Sequence, residues 1–471
     1  MNRPNWRSDA AFLAGFAVLL RLPAFFATRS LVFDDGVYAS SALAMRAGAA
    51  PFRDVFSSQG PMFLPLVWLG DLIGFRTLDA PRVLSLVSGV VLTIAVYSCA
   101  RRVTSRGSSL LAAGLVTTSG SALWVTGPAN ADGPSLALSV LAIALALRAL
   151  DHHEARLADA VFVGLAAGGA VSIKALSVPA VAIAGLVLLA VRRRLFDGAL
   201  AAMVAVGVYL AAIAPWGFER VWDQSFTYHN DARRLHSHPS AAWKVVTTLW
   251  GRDRLVLVAL TLALATIVVV RVGRIRPAAR DDRSAPPAGI ALAVLALWAA
   301  LVFALLVWEP ALFRAHVAHL VPPLALVASL WHPPWRVLAV AAVVAAPFWA
   351  VENRTILWPH GYRGNEAVVV AHLRALPHDS VVISDDPGLA WRAGHRPPPD
   401  LADPSFLRIE QHRVTERSVA KAALPPEVCG VVVSSRQHFM TFAGLGDRLE
   451  SEGYRPVRFG SITLYTRRRC G

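Results

Sequence analysis

Two adjacent carboxylates, Asp34 and Asp35, interrupt an apolar stretch near the start of the chain, LVFDDGVYASSAL (31–43). Paired acids in such a place can be a solvated loop, a cap for a helix that begins near Gly36, a metal site, a proton relay or a general base. The next residues continue in a helical pattern, and Asp35 lies three positions before Tyr38, on the same helix face. We therefore expect one carboxylate to face a cavity while its neighbour caps the helix or forms a pair.

Another acid, Asp132, lies in a turn flanked by glycine and proline, GPANADGPSLAL (127–138). Aspartate is a common N-cap, so a cap for the helix that begins at Pro134 is one interpretation. The other interpretation is that Asp132 belongs to a functional site. It is the sole acid of a short turn that we place at the same membrane level as Asp35. Two acids that converge from separate loops make a better candidate site than either acid alone.

Basic side chains near the same level could face an anion. Lys174 lies in the apolar segment GGAVSIKALSVP (168–179), where a lysine is costly unless it snorkels, pairs or contacts a ligand such as phosphate. His316 and His319 are one helical turn apart, and Arg314 comes just before them. Because HxxH without a third ligand is a weak metal signal, we interpret this cluster as a cationic edge that faces phosphate.

The elements that position these residues are predicted to be membrane helices. The chain of 471 residues is 55% hydrophobic and only 16% charged, and charge-free apolar runs recur along residues 10–350. A bilayer requires about 20 apolar residues, and helices satisfy the backbone there, whereas the runs lack the alternation of a barrel strand. We predict a polytopic α-helical protein with about eleven spans, at 10–28, 80–100, 108–125, 134–150, 160–173, 176–191, 198–215, 253–271, 289–308, 315–331 and 336–350. The run 160–191 forms either two short spans or one long span.

The net charge of +15 is explained by short loops beside these spans rather than by nucleic-acid binding. The basic loops ARRVTSR (100–106), RRRLF (192–196) and RVGRIRPAARDDR (271–283) all fall on one side, as cytoplasmic loops do. This arrangement places the N-terminus in the cytoplasm and the C-terminus outside, with an uncleaved first span. No aromatic-interleaved basic patch indicates nucleic-acid recognition.

Three segments then face outward, at 29–79, 126–134 and 216–252. The first contains LPLVWLGDLIGF (64–75), which is too short to span and is predicted to be an interfacial helix. The third contains a set of basic residues that we interpret mostly as solvated surface: His229, Arg233, Arg234, His236 and His238.

Beyond the spans of residues 1–350, the composition changes, and residues 352–471 are predicted to form a small soluble α/β domain outside the membrane. Its predicted helices lie at 365–377 and 440–454, and its predicted strands at 380–384, 430–435 and 461–466. The domain has no phosphate-cradling glycine loop or nucleophile motif, so we expect it to cover, dock or recognise rather than perform chemistry. Cys429 and Cys470 share the outer compartment, where a disulfide bond is permitted.

The segment FDDGVYASSALAMRAGAAPFRDVFSSQGPMFLPLVWLGDLIG (33–74) resembles the first outer loop of lipid-linked glycosyltransferases of the GT-C fold. Protein O-mannosyltransferases and the lipid A aminoarabinose transferase have this fold. The acidic pair followed by Tyr38, the aromatic-Arg-Asp stretch at 52–54 and the Pro-led helix at Pro61 match that loop. The segments around Asp132, Lys174 and AHLVPPLALVAS (318–329) are similar to later motifs, so the likeness covers roughly residues 1–350. Two departures are Asp-Asp in place of the frequent Asp-Glu pair, and Gln59 where a basic or polar contact is expected.

The resemblance implies a multi-pass glycosyltransferase of the plasma membrane. It implies transfer of a sugar from a polyprenyl-phosphate donor, within the lipid bilayer, to a glycan, lipid or protein acceptor on the extracytoplasmic face. Asp35 is expected to be the base, with Asp34 second, and Asp132 would orient the acceptor or the base. The residues expected at the donor phosphate are Lys174, Arg314 and His316, and those expected at donor or acceptor are Tyr38, Arg53, Asp54 and Gln59. This chemistry requires no cofactor, although a divalent metal is compatible with the acids.

Two other classes of function compete with this interpretation. A transporter could use membrane acids and a lysine in a proton or substrate path. Against it, the acids cluster at one face and the sequence does not divide into two similar halves. A non-catalytic sensor with an outer ligand-binding domain would lose no sugar transfer on removal of Asp35.

Overall fold

The computed structural model describes residues 6–150, 156–189, 195–235, 241–272, 288–309, 313–330, 335–434, 438–468 and 470. Helices dominate these ranges up to residue 352, and a small sheet forms near the end of the chain. Of the residues singled out in the third outward segment, His236 and His238 lie outside the described ranges.

Seventeen helices are described up to residue 352. They are α1 (Trp6–Phe25), α2 (Phe33–Arg46), α3 (Phe63–Ile73), α4 (Val83–Val103), α5 (Arg106–Thr118), α6 (Gly120–Thr126), α7 (Asp132–Ala149), α8 (Leu157–Ile173), α9 (Val178–Leu189), α10 (Leu195–Ile213), α11 (Phe218–Trp222), α12 (Tyr228–Leu235), α13 (Ala241–Arg252), α14 (Arg254–Val272), α15 (Ala288–Trp308), α16 (Val321–Leu330) and α17 (Trp335–Glu352). Short 3-10 helices occur at Ala80–Arg82, Ala175–Ser177 and Arg314–Leu320, and a π-helical turn occurs at Asp223–Thr227.

Among the described residues, five helices are long and apolar enough to cross a membrane, and a sixth span results if the bent pair α5 and α6 counts as one. That pair, predicted as one span at 108–125, bends by 60°. The described part of the run 160–191, residues 160–189, lies in two helices, α8 and α9, which are separated at Lys174. Four further apolar helices are shorter, so the total of about eleven spans remains a prediction.

The centre of the helix bundle is α7, which packs against α4, α8 and α9. Its buried face is built from alanine, serine, leucine and valine, and small residues also bring α8 close to α10. A Cβ atom on Gly164 would lie 2.5 Å from the carbonyl oxygen of Ala201, and one on Gly168 would lie 2.6 Å from that of Ala205. Small residues one turn apart are a common means of close packing between membrane helices.

The remaining helices are α18 (Arg354–Leu357), α19 (Asn365–Arg374), α20 (Pro387–Ala393), α21 (Phe406–Glu410), α22 (Glu416–Ala422) and α23 (Leu445–Ser451). They pack around strands β1 (Val381–Ser384), β2 (Val428–Ser434), β3 (Tyr454–Phe459) and β4 (Ile462–Arg467), in the order β1-β2-β4-β3. β1 pairs with β2 in parallel, and the other pairs are antiparallel.

The predicted α/β character of this region is confirmed, with one strand missed. β3 has an exposed, Arg- and Pro-containing sequence, YRPVRF, which lacks the apolar run of a core strand. Part of the predicted helix 440–454 is replaced by the shorter α23 and the start of β3. Cys429 and Cys470 form a disulfide bond, with Cα atoms 5.5 Å apart.

Helix α20 docks directly on α2, the helix that carries the acidic pair. A Cβ atom on Gly36 would lie 2.5 Å from the backbone nitrogen of Gly388, so only glycine allows the two helices to approach this closely. Ser40 Oγ donates to the carbonyl of Pro387 at 3.2 Å, and Trp391 Nε1 donates to the carbonyl of Leu78 at 3.0 Å. The C-terminal region is therefore packed against the first outer loop.

Candidate active site

A cavity of about 90 Å³ lies where the first outer loop, the α8–α9 break and the C-terminal region meet. Asp34 and Tyr38 of α2 line it, as do Gln59, Lys174 and His316. These are five of the residues predicted for the site, and they come from four separate parts of the chain. The structure thus brings an acid, a lysine and a histidine to one cavity.

Asp34 presents its carboxyl group to this cavity from the first turn of α2. Its Oδ2 atom accepts a hydrogen bond from Asn130 Nδ2 at 3.4 Å. Burial raises the pKa of Asp34 to about 6, against the lowering effect of the Lys174 charge. A carboxylate with such a pKa accepts a proton more readily at neutral pH than an ordinary aspartate does.

Asp35 is placed elsewhere, which argues against its preference as the base. It is fully buried, and both of its oxygens accept hydrogen bonds from the Arg82 guanidinium, at 3.0 and 2.5 Å. The backbone nitrogens of Leu31 and Ala129 donate to the same carboxylate at 3.0 and 2.8 Å. With four donors and no exposed surface, Asp35 ties α2 to its surroundings and does not line the cavity.

Arg82 is the partner that sequence reasoning missed. Besides Asp35, it donates to the carbonyls of Ala24, Ala27 and Arg29 at 2.7–2.9 Å. Its guanidinium also lies 4.9 Å from the ring centroid of Trp391 in α20. No sequence signal pairs Asp35 with an arginine 47 positions away. The structure was therefore needed to decide which of the two aspartates is the candidate general base.

Lys174 is the centre of a buried polar network. Its Nζ atom lies 2.9 Å from Asp132 Oδ2 and 3.0 Å from His316 Nε2. Since an ammonium cannot accept, Nε2 of His316 accepts and Nδ1 carries the proton, which it donates to Glu309 at 2.8 Å. Two of the three ammonium donors are thereby used within the described residues, and the third is available to a ligand.

Asp132 itself is buried and does not line the cavity. Its second oxygen faces His319 Nε2 at 3.3 Å, and its backbone nitrogen donates to Asn130 Oδ1 at 2.8 Å. The carboxylate therefore holds the Lys174 side chain in position. Asp132 is the first residue of α7, the N-cap position belongs to Ala131, and no side chain caps the helix from that position, so the predicted N-cap role of Asp132 is wrong and its place is beside the site.

The first outer loop is held against the α8–α9 break by backbone hydrogen bonds. Gly60 donates to the carbonyl of Ile173 at 2.9 Å, and Met62 donates to that of Ser172 at 3.0 Å. These bonds place Gln59 beside Lys174 in the wall of the cavity. Tyr38 lines the same cavity, with its ring edge-on to Phe63 at 4.6 Å between centroids.

Three predicted contact residues are not in the cavity wall. Arg53 and Asp54 form an exposed ion pair with each other at 2.8 Å. Arg314 is exposed, although its neighbours Phe313 and His316 line the cavity. Their expected roles at donor or acceptor therefore have no support from the geometry.

The third outward segment contributes more than a solvated surface. Tyr228 and His229 line the cavity. The π-helical turn before them directs Gln224 and Ser225 onto the first loop, where Gln224 accepts from Ser57 nitrogen at 2.9 Å. Ser225 Oγ donates to the carbonyl of Gln59 at 2.7 Å.

The C-terminal region supplies the remaining wall, through Asp403, Ser405, Phe406 and Leu407. The sequence DPSF looks like an ordinary turn, and Asp403 Oδ1 accepts from Ser405 nitrogen as such turns do, at 3.0 Å. Only the docking of this turn on the membrane helices makes it part of the cavity. Among the described residues, no group of three or more His, Cys, Asp or Glu side chains has the proximity needed to hold a metal ion.

Comparison with known proteins relates this architecture to enzymes that use lipid-linked sugars. Residues 58–218 match the family of dolichyl-phosphate-mannose-protein mannosyltransferases. ArnT from Cupriavidus metallidurans, solved with undecaprenyl phosphate, is similar over 98% of both chains, with a TM-score of 0.68 and 15% identity. The archaeal oligosaccharyltransferase AglB from Archaeoglobus fulgidus, solved with an inhibitory peptide and a dolichol-phosphate, is similar over 98% of this chain and 74% of its own, with a TM-score of 0.53 and 13% identity. No curated protein sequence matches the chain.

The family match covers the Gln59 loop, the Asp132 turn and Lys174, and the fold match extends over nearly the whole chain. The predicted resemblance is confirmed: the chain has the GT-C fold of lipid-linked glycosyltransferases, and its segment 58–218 has the sequence pattern of the mannosyltransferase family.

Proposed function

We propose that the protein transfers a sugar from a polyprenyl-phosphate donor to a cell-envelope acceptor at the extracytoplasmic face of the plasma membrane. In this proposal the cytoplasmic N-terminus leads into a catalytic unit of residues 1–350, and residues 352–471 cover its outer side. The observation that carries the proposal is the presence of Asp34 and Lys174 in the wall of one cavity. Asp34 can accept a proton from the acceptor, and Lys174 can bind the departing phosphate.

The phosphate end of the cavity is the Lys174 side. The ammonium has an N–H free for a phosphate oxygen, while Asp132 and the neutral His316 hold it in position. As the bond between the sugar C1 atom and the phosphate oxygen breaks, its electron pair passes to the phosphate. A fixed cation in a partly dehydrated site stabilises the charge that develops there.

The proton acceptor is Asp34 rather than Asp35. The acceptor hydroxyl or amine forms a new bond to C1 and gives its proton to the Asp34 carboxylate. General-base assistance of this kind contributes about 10² to 10⁴-fold to a rate. The Asp35 carboxylate already accepts hydrogen bonds from Arg82 and from two backbone nitrogens. It is therefore not available as a proton acceptor.

The test is sugar transfer by purified protein in proteoliposomes, with undecaprenyl-phosphate-mannose as donor and cell-envelope extract as acceptor. We expect Asp34→Asn and Lys174→Gln each to lower the rate at least a hundredfold, on the order given for a general base or a lost transition-state contact. Asp54→Asn is the matched control, because it removes an exposed acid of the same outer loop outside the cavity. Full transfer by the Asp34 variant would rule out the base.

The transporter alternative is separated by sealed vesicles. Uptake of mannose-containing solute without covalent transfer would favour transport. Comparison of envelope glycans from cells with and without the gene would then identify the sugar and the acceptor.

A further inference from the structure

The proposed function uses Asp34 and Lys174, but it leaves a second cavity acid, Asp403, without a role. This carboxyl belongs to the C-terminal region, 369 positions from Asp34, and lines the same cavity. It is 6% exposed. A turn at the surface could direct this carboxyl group to solvent, but the structure buries it in the cavity wall. Contact with a ligand would explain this position.

The Asp403 turn is built into place by contacts on both sides. Arg408, almost fully buried, donates to the carbonyls of Asp400 and Asp403 at 2.6 and 2.7 Å. The same guanidinium lies 4.2 Å from the ring centroid of Phe56 in the first outer loop. This arginine therefore fixes the backbone of the turn to the first outer loop.

The third outward segment holds the turn from the other side. Tyr228 Oη lies 3.2 Å from Ser405 Oγ, and Gln411 Nε2 donates to the carbonyl of Tyr228 at 2.9 Å. Arg413 forms an ion pair with Asp223 at 2.7 Å. The position of Asp403 is thus defined by three separate parts of the chain, which is the degree of support expected of a binding residue.

The size of the cavity limits what can lie against Asp403. At about 10–15 Å³ for each enclosed water, a cavity of about 90 Å³ holds six to nine waters. That volume is on the order of one sugar ring with its hydroxyls. If the donor phosphate occupies the Lys174 end, the sugar bonded to it fills the rest of the cavity.

We propose that Asp403 is a specificity-determining residue, which accepts hydrogen bonds from hydroxyl groups of the donor sugar. This inference rests on the proposed function and adds a sugar-recognition role for the C-terminal region. A carboxylate and the Ser405 hydroxyl offer polar partners to the ring hydroxyls, while Phe406 and Leu407 offer an apolar surface to its C–H groups. Burial raises the pKa of Asp403, as expected for a carboxyl group that is shielded from water.

The test compares the affinity of the full-length protein in nanodiscs for two ligands, undecaprenyl phosphate and undecaprenyl-phosphate-mannose. The difference in affinity between them measures the sugar contact. We expect Asp403→Ala to weaken binding of the sugar-bearing ligand by roughly ten- to a hundredfold and to leave binding of the bare lipid phosphate unchanged. Lys174→Gln should weaken the binding of both ligands by the same factor.

Two further variants control for folding. Asp403→Asn retains an acceptor for the Ser405 nitrogen and should show an intermediate loss of the sugar contact. Asp379→Asn removes a fully exposed acid of the C-terminal region that is outside the cavity wall. It should leave both affinities unchanged.

Equal weakening of both ligands by Asp403→Ala, or no weakening of either, would overturn the role of Asp403 and leave the proposed function standing. If the wild-type protein bound neither ligand, the proposed function and the sugar contact would both be wrong. A second measurement replaces mannose with glucose or arabinose on the same lipid. Loss of discrimination among the three sugars in the Asp403 variants would support specificity.

Discussion

Replacement of Asp34 by asparagine should make the protein much less active and, at the same time, more stable. The native environment raises the pKa of this carboxyl from 3.8 to about 6, chiefly through burial. The folded state therefore binds the proton more tightly than the unfolded state, and stability falls as the pH rises from about 4 to about 6. Above that range the ionised group destabilises the fold by at most about 3 kcal/mol, at about 1.4 kcal/mol for each pH unit.

The assay is thermal unfolding of wild type and Asp34→Asn in detergent between pH 4 and pH 8, beside the transfer rate. We expect the two unfolding temperatures to coincide near pH 4 and to diverge above pH 6, where the variant is the more stable. Wild-type transfer should fall as the pH drops below about 6, because protonated Asp34 cannot accept a proton. The residual activity of the variant should lack this pH dependence.

Asp35→Asn is the matched comparison, since it makes the same chemical change one position away. It removes the partner of a buried arginine, and breaking such a pair costs about 3–5 kcal/mol. This variant should therefore unfold at a lower temperature. A stabilised Asp35 variant, or an Asp34 variant destabilised at pH 8, would refute the assignment of one carboxylate to structure and the other to chemistry.

Three further outcomes follow from the packing. Lys174→Met should lower stability by about 3–5 kcal/mol, because it leaves the buried Asp132 carboxylate without its cation, and Lys174→Arg should recover part of the loss in thermal unfolding. Gly36→Ala should lower the free energy of unfolding by about 1–3 kcal/mol and slow sugar transfer, because its Cβ atom would meet α20. Gly114→Ala, at an open position of α5, is the control and should be neutral or raise the free energy of unfolding by up to about 1 kcal/mol. Reduction of the C-terminal disulfide, whose cysteines are 41 positions apart, should lower the unfolding temperature, with an entropic contribution of about 4 kcal/mol.

Much of the architecture could be predicted because its signals are local. Long apolar runs predicted the membrane helices, and a lysine followed by a nearby proline in an apolar segment indicated the break that the structure places at Lys174. Short runs rich in valine, isoleucine and threonine indicated most of the sheet. β3 was missed because its side chains are mostly exposed, so its stability depends on pairing with β4 rather than on an apolar pattern.

The chemistry of the site was predicted less completely, because it depends on distant partners. The sequence indicated an acidic pair but not which member is neutralised, since that depends on Arg82. It also indicated Lys174 and His316, but not Glu309, which fixes the tautomer of the histidine. Asp403 could not be found, because nothing in its turn distinguishes a cavity acid from a surface acid.

The close contact between α2 and α20 has a consequence for the order in which the protein matures. The first turn of α2 is held by residues from the beginning of the chain, but the cavity is closed by residues 403–407, near its end. During synthesis the early helices can insert while the cavity still lacks a wall. The cavity is complete only after the C-terminal region has folded against the helices, so under the proposed function a partly synthesised chain should not bind the donor.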